Sequence, residues 1–304
     1  AGQLFVIYYW LVRMKDIELS IVTFKHDIPN TYMQFISLRK NLSTRTKITI
    51  YYNYENKKNE VYEISLVKKY IKKFLKKHDV RFYLKPAIIN NSSGWHSQQL
   101  VKWYSAYNSD CRYQMVLDSK NFLFRPFSFD EIDFDNLPAF GKDITDQWTQ
   151  ETINHCQNFI FEKTGTHRRG QEIDAITPWI WDNYKVKELL DTLWPDNGWC
   201  NLSDDFLVSE WLLYITWVEK SINYNANHHL TIGMWGFIEN NLLEEYANLF
   251  KKNSQYKFWT HHRMKNKQQH FKITKRLIKE FNICNYTEYE HWVKLRNYYN
   301  SNFS

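Results

Sequence analysis

Residues 113–125 read Tyr-Gln-Met-Val-Leu-Asp-Ser-Lys-Asn-Phe-Leu-Phe-Arg: an apolar run, a polar tip at Asp118, Ser119 and Lys120, then a second apolar run. The first run has the length and composition of a buried strand. Asp118 then stands at a strand's carboxyl end, with Ser119 and Lys120 beside it. In open α/β sheets, ligands bind in the crevice outside those ends, which makes this tip a candidate site for a phosphorylated ligand. Asp and Ser also favour ordinary turns, so the tip alone decides little.

Its surroundings add weight. Residues 17–24 form another mostly apolar run, ending in Lys25, His26 and Asp27. Residues 47–52 and 80–84 are short and rich in β-branched and aromatic side chains, and segments of helical periodicity separate all four runs. Alternating strands and helices imply an α/β, Rossmann-like fold with a mostly parallel sheet covered by helices.

Among the intervening segments, residues 29–42 read as a helix. Residues 66–78 read as a second, with Leu66, Val67, Tyr70, Ile71, Phe74 and Leu75 on one face and six lysines on the other. Such a lysine face is ordinarily solvated; contact with a membrane surface or nucleic acid is the alternative. A polar loop containing Gly94 leads into a helix that starts near Trp95 or Ser97. Its first turns carry Gln98, Gln99 and Lys102, where unpaired N–H groups favour an anion. Gln and Lys are equally common on solvated helix faces.

Composition narrows the choice of chemistry. The chain has 304 residues, enough for one large domain, and only 8 glycines; neither G-x-x-x-x-G-K-[ST] nor G-x-G-x-x-G occurs, so any nucleotide is held another way. A net charge of +7 suits anionic partners. The 4 cysteines lack C-x-x-C spacing, which points to a reducing compartment rather than a zinc ribbon or a disulfide framework. The longest uncharged apolar stretch, residues 4–12, is far shorter than the ~20 residues a membrane-spanning helix needs. Expected localisation is cytoplasmic, with peripheral membrane association as the alternative, and Met14 is the expected native start.

Residues 128–146 turn acidic and contain Pro138 and Gly141, which marks a subdomain boundary. The expected organisation is an N-terminal extension over 1–13, an α/β ligand-binding half over 14–130 and a mainly helical half of the same domain over 131–304. Within the latter, residues 149–163 read as a helix, and Thr177-Pro178 reads as the opening of another, since proline suits a first turn. Ser203 reads as the N-cap of a helix over 203–218, on which Glu210 shares a face with Phe206, Leu213, Tyr214 and Trp217. A carboxylate on an apolar face is costly unless it is paired or functional.

Four stretches together resemble the nucleotide-sugar glycosyltransferases of GT-A type, and within them the domain of unknown function DUF6492. They are Ser20-Ile-Val-Thr-Phe24 with its polar end; Gly94-Trp95 followed by Gln98-Gln99-Leu100-Val101-Lys102; Leu117-Asp118-Ser119-Lys120 with Phe124-Arg125-Pro126; and Ser209-Glu210-Trp211-Leu212-Leu213-Tyr214. The resemblance implies transfer of a sugar from a nucleoside diphosphate sugar to a hydroxyl-bearing acceptor, whether glycan, lipid or protein. The family pattern has Asp-x-Asp, whose carboxylates hold a divalent ion such as Mn or Mg against the diphosphate. Here Lys120 stands at the second acidic position. Either the lysine takes over part of the metal's task, or a metal is held weakly through Asp118 with His261 and His262, or the fold binds without catalysing.

Carried over by position, Thr23, His26 and Asp27 are expected to line the nucleotide end, and Asp118 to face ribose or metal. Lys120 faces the diphosphate, while Gly94, Trp95, Gln98, Gln99, Lys102 and Ser119 lie near the donor. Glu210 meets a sugar or acceptor hydroxyl, and Trp179, Trp181 and Tyr214 form an acceptor wall. A basic nucleic-acid-binding protein is the competing reading, although no recognised reading motif is present and nucleic acid is not the expected partner.

Overall fold

The computed structural model describes residues 16–87, 94–139, 147–169, 177–201, 209–219, 221–222, 224–232, 240–260 and 267–303. The apolar run after Asp16 is strand β1 (Ile17–Thr23), buried along its whole length. Helix α1 (Ile28–Asn41) follows, then β2 (Lys47–Tyr54), α2 (Val61–Phe74), β3 (Asp79–Pro86), α3 (Gly94–Tyr107) and β4 (Tyr113–Asp118). Beyond β4 come β5 (Asn121–Leu123), β6 (Leu137–Ala139), α4 (Gln147–Thr164), β7 (Trp179–Asp182) and α5 (Asn183–Leu193). The rest of the described chain contributes α6 (Glu210–Val218), β8 (Tyr224–His229), β9 (Thr231–Ile232), α7 (Asn240–Lys252), β10 (Phe258–Thr260), α8 (Lys267–Glu280) and α9 (Tyr286–Phe303).

The main sheet runs β3-β2-β1-β4-β7, parallel throughout except for β7, which lies antiparallel to β4. Helices cover both faces, so the inner strands read as near-continuous apolar runs. The molecule is therefore mixed α/β with a mostly parallel central sheet flanked by helices. Smaller sheets join β5 to β10 and β9, and β6 to β8. Among the described residues strand β3 sits at one edge of the sheet, where burial alternates and Arg81 is exposed.

Chain order along the sheet locates its crevice. From β1 the chain steps outward through β2 to β3, then returns across the sheet by α3 to place β4 on the other side of β1. Strand order therefore reverses between β1 and β4, and the crevice outside the carboxyl ends of those two strands is the topological switch point. Val22 of β1 is in register with Asp118 of β4 there.

The 113–125 run is two strands separated by a turn at Ser119 and Lys120, in keeping with its polar tip. Other expectations give way to the tertiary arrangement. Thr177-Pro178 leads into β7 rather than opening a helix: Trp179, Ile180, Trp181 and Asp182 pair with β4, and the next helix begins only at Asn183, capped by the Asp182 side chain. The pairing edge of β4 outweighs the local helix-start signal of proline. Ser203 and Phe206 lie outside the described residues; helix α6 starts at Glu210 with Ser209 as its cap. The lysine helix begins earlier than expected, at Val61, and all six lysines from Lys68 to Lys77 are exposed.

Aromatic residues make up 18% of the chain, and much of that content is core: Trp103, Trp181, Trp199, Trp211, Trp259 and Trp292 are fully buried. No described helix is long and apolar enough to cross a membrane. The apolar stretch at 4–12 and the expected start at Met14 lie outside the described residues.

Candidate functional site

At the switch point, the chain leaving β4 turns sharply, and buried amides brace that turn. Asn121 accepts from the Asp118 backbone N–H at 2.8 Å, while its Nδ2 donates to the Thr177 carbonyl at 2.8 Å and to Thr260 Oγ1 at 2.9 Å. Gln34, from α1, donates through Nε2 to the carbonyls of Asp118 at 2.7 Å and Asn121 at 3.1 Å. Three separate segments, carrying Gln34, Thr177 and Thr260, thus fix one carboxylate-bearing turn. Buried polar networks of this kind favour a single geometry, because losing one of these bonds is expensive.

On this platform Asp118 collects three partners. Its Oδ1 lies 2.9 Å from Lys102 Nζ, and its Oδ2 lies 3.1 Å from Lys120 Nζ and accepts from Thr177 Oγ1 at 2.9 Å. Lys102 also donates to Glu210 Oε1 at 2.9 Å, and the Glu210 backbone N–H donates to Gln99 Oε1 at 2.8 Å. Glu210, Lys102, Asp118 and Lys120 form a chain of alternating charge. Burial alone would push the Asp118 carboxyl up, but the two ammonium groups outweigh it and hold the carboxyl well below the usual range. Burial would likewise lower Lys102, yet Asp118 and Glu210 raise it instead. Exposure grades outward along the chain: the side chains of Glu210 and Lys102 are 3% and 6% exposed, and Lys120 is 29%. The solvent-facing end is therefore a cation.

Helix α3 supplies Gln99 and Lys102 one turn apart, and α6 supplies Glu210 in its first turn behind the Ser209 cap. Under Lys102 lies the Trp179 ring, 4.8 Å from Nζ, itself stacked on Trp211 with centroids 5.1 Å apart. This aromatic floor carries the ammonium by cation–π attraction.

The structure brings Asp118, Lys120, Lys102, Gln99 and Glu210 together from three distant stretches of sequence. Ser119 is buried in the turn itself. Thr23 ends β1 at the same edge, but its hydroxyl pairs with Thr31 Oγ1 at 2.5 Å. His26 and Asp27 follow in a short 3-10 turn, where Asp27 is buried and accepts from Asn30 at 3.4 Å. Gly94 and Trp95 are the first residues of α3, and Gln98 is half-buried on it.

The three residues expected to form an acceptor wall are placed in the core. Trp179 is the floor beneath Lys102. Trp181 is fully buried and donates to Gln114 at 3.2 Å, and the Tyr214 hydroxyl accepts from the Asp182 N–H at 2.9 Å. Trp179 and Trp181 are turned inward by β7 entering the sheet, and Tyr214 is buried where α6 packs against that strand. Residues missed by sequence reasoning are Gln34, Asn121, Thr177 and Thr260. Only Asn121 carried a signal, an amide three residues after the strand-terminal Asp.

His261 and His262 lie outside the described residues. Among the described residues no group of three or more His, Cys, Asp and Glu side chains could hold a metal ion. The donor set at Asp118 does not fit a divalent ion either, since both carboxylate oxygens already face ammonium groups and added positive charge would be repelled.

Similarity to solved structures is distant. Mouse xyloside xylosyltransferase 1, in its apo form, is 11% identical with a TM-score of 0.42, over 81% of this chain and 97% of that one. The glycosyltransferase GlyE of Streptococcus pneumoniae TIGR4 is 11% identical with a TM-score of 0.44, over 91% and 63%. The bifunctional glycosyltransferase WbbM, also apo, is 9% identical with a TM-score of 0.49, over 92% and 51%. No curated protein matches the sequence. A family match does cover most of it: residues 54–290 fit the family of unknown function DUF6492, and the chain belongs to that family.

Proposed function

We propose that this protein is a glycosyltransferase that moves a sugar from a nucleoside diphosphate sugar to an acceptor hydroxyl on a glycan, lipid or protein. The observation that carries the reading is the Asp118-Ser119-Lys120 turn at the switch point of a mostly parallel sheet, with one partly exposed ammonium at its mouth. Departure of a nucleoside diphosphate from a sugar builds negative charge on the phosphates and positive charge on the sugar ring. A preorganised cation aimed at the phosphates stabilises that change without reorganising at the moment of reaction.

In this reading Lys120 meets the diphosphate, a task given to a metal ion where the motif is Asp-x-Asp. Asp118, kept ionised by its two lysines, orients Lys120 and accepts from a ribose or sugar hydroxyl. Glu210 and Gln99 hold Lys102 behind it. Thr23, His26 and Asp27, at the end of β1, border the nucleotide.

A thermal-shift and calorimetric screen tests the reading, using UDP, GDP, CMP and ADP and their sugar conjugates, each with and without Mn2+, and a short oligonucleotide as control. Saturable stabilisation by one nucleoside diphosphate, unchanged by chelation, supports it. Stabilisation by the oligonucleotide alone, with steep salt dependence, supports a nucleic-acid-binding protein instead.

A further inference from the structure

Asp118 and Glu210 come from different elements, the end of β4 and the start of α6, yet one oxygen of each lies 2.9 Å from the same point. The group at that point is the Lys102 ammonium, on a side chain only 6% exposed. Carboxylates converging from separate elements on one buried point are what a hard divalent cation uses, at oxygen distances of about 2.0–2.6 Å. The ammonium occupies the same place at slightly longer range. Its third side is the Trp179 ring at 4.8 Å, and Gln99 holds the Glu210 backbone in position.

We infer that Lys102 is the resident cation of this site: its ammonium fills a two-carboxylate cation position formed by Asp118 and Glu210, so that a divalent ion is displaced rather than merely absent from the design. The inference stands on the geometry of these residues and deepens the transferase reading without depending on it. Lys102 is a positioning residue. It keeps Asp118 ionised and aligned while Lys120 faces the ligand, so the site's positive charge is covalently built in and independent of metal supply.

The decisive variant is Lys102→Gln, which removes the charge and opens the position while leaving both carboxylates. Melting temperature and Mn2+ binding, the latter by electron paramagnetic resonance, are measured for wild type and variant over a millimolar Mn2+ and Mg2+ series. The wild type is expected to bind no Mn2+ at this site and to melt at the same temperature with metal or chelator. Lys102→Gln is expected to melt lower in chelator, to recover with added metal, and to bind one Mn2+ per chain. A Mn2+ site in the wild type that Asp118→Asn abolishes would overturn the inference, as would a folded Lys102→Gln protein indifferent to metal.

If Lys102→Gln does not fold in chelator, Lys102→Gln/Glu210→Gln keeps the charge balance and removes one of the two carboxylates. That pair is expected to fold and to lack the Mn2+ site; Mn2+ binding by it equal to that of metal-refolded Lys102→Gln would overturn the inference. All readouts are binding and stability, so failure of the metal test and failure of the nucleotide screen are separate outcomes, and neither implies the other.

Discussion

Gln34 and Asp118 are 84 residues apart, and the Gln34 amide donates to the Asp118 carbonyl at 2.7 Å from inside the buried face of α1. The same nitrogen reaches the Asn121 carbonyl at 3.1 Å, so one side chain clamps both ends of the Ser119-Lys120 turn. Gln34→Leu should leave two buried carbonyls short of a donor and cost about 1–3 kcal/mol in chemical denaturation. Nucleotide affinity should fall more than the stability loss alone explains, because Lys120 loses its fixed mounting.

Lys120 is the cleaner probe of the site, since it is the most exposed charge in the chain of four. Lys120→Ala should lower turnover of the sugar nucleotide about a hundredfold with little change in melting temperature. Lys120→Asp recreates the Asp-x-Asp spacing and should make residual activity respond to Mn2+. Asp118→Ala is the less clean variant: it strips partners from Lys102, Lys120 and Thr177 together, and is expected to lower stability as well as turnover.

Arg39 on α1 grips Glu288 at the start of α9 through two parallel bonds of 2.8 and 3.0 Å. Burial would push the Glu288 carboxyl up, but Arg39 outweighs it and holds it below its ordinary value. Arg39→Met should cost about 1–2 kcal/mol, a modest figure because the guanidinium is partly solvated. Faster amide exchange over residues 286–303, with the switch-point turn unchanged, would place the effect at the α1–α9 contact.

Stability should fall as the medium is acidified from neutrality. Burial, and then the neighbouring Lys77, lowers His78 to about 4, and its Nδ1 accepts from the Thr46 N–H at 3.2 Å, a bond that protonation breaks. Burial and Arg296 lower His270 to about 4 as well. Between the unfolded value of 6.5 and about 4, the unfolded chain holds protons that the native one refuses, so stability is full above 6.5 and declines through this window. Asp118 and Glu288, depressed in the native state, add a second decline only below their unfolded values of about 4. Melting temperature measured from pH 7.5 to 4.5 should drop, and His78→Gln should flatten the curve in that range.

The run of β1, the alternation of strands with helices and the carboxylate at the end of β4 were all legible in the amino-acid order, because periodicity and turn chemistry are local properties. So was the need of Glu210 for a partner, since an unpaired carboxylate on an apolar face is too costly to stand. What that partner is could not be read. Lys102 looks like a solvated helix residue until α3 is laid across the sheet and α6 is brought against it. Trp179, Trp181 and Tyr214 looked like a wall for a ligand until β7 paired with β4 and α6 packed against it, which buried all three. Gln34 and Thr260 gave no signal at all, because a hydrogen bond across 84 or 139 residues leaves no mark on either neighbourhood in the chain. Local order determined the elements and the chemical types on offer; only the tertiary structure decided which charges meet, because long-range pairing depends on sheet register and helix placement that no single segment encodes.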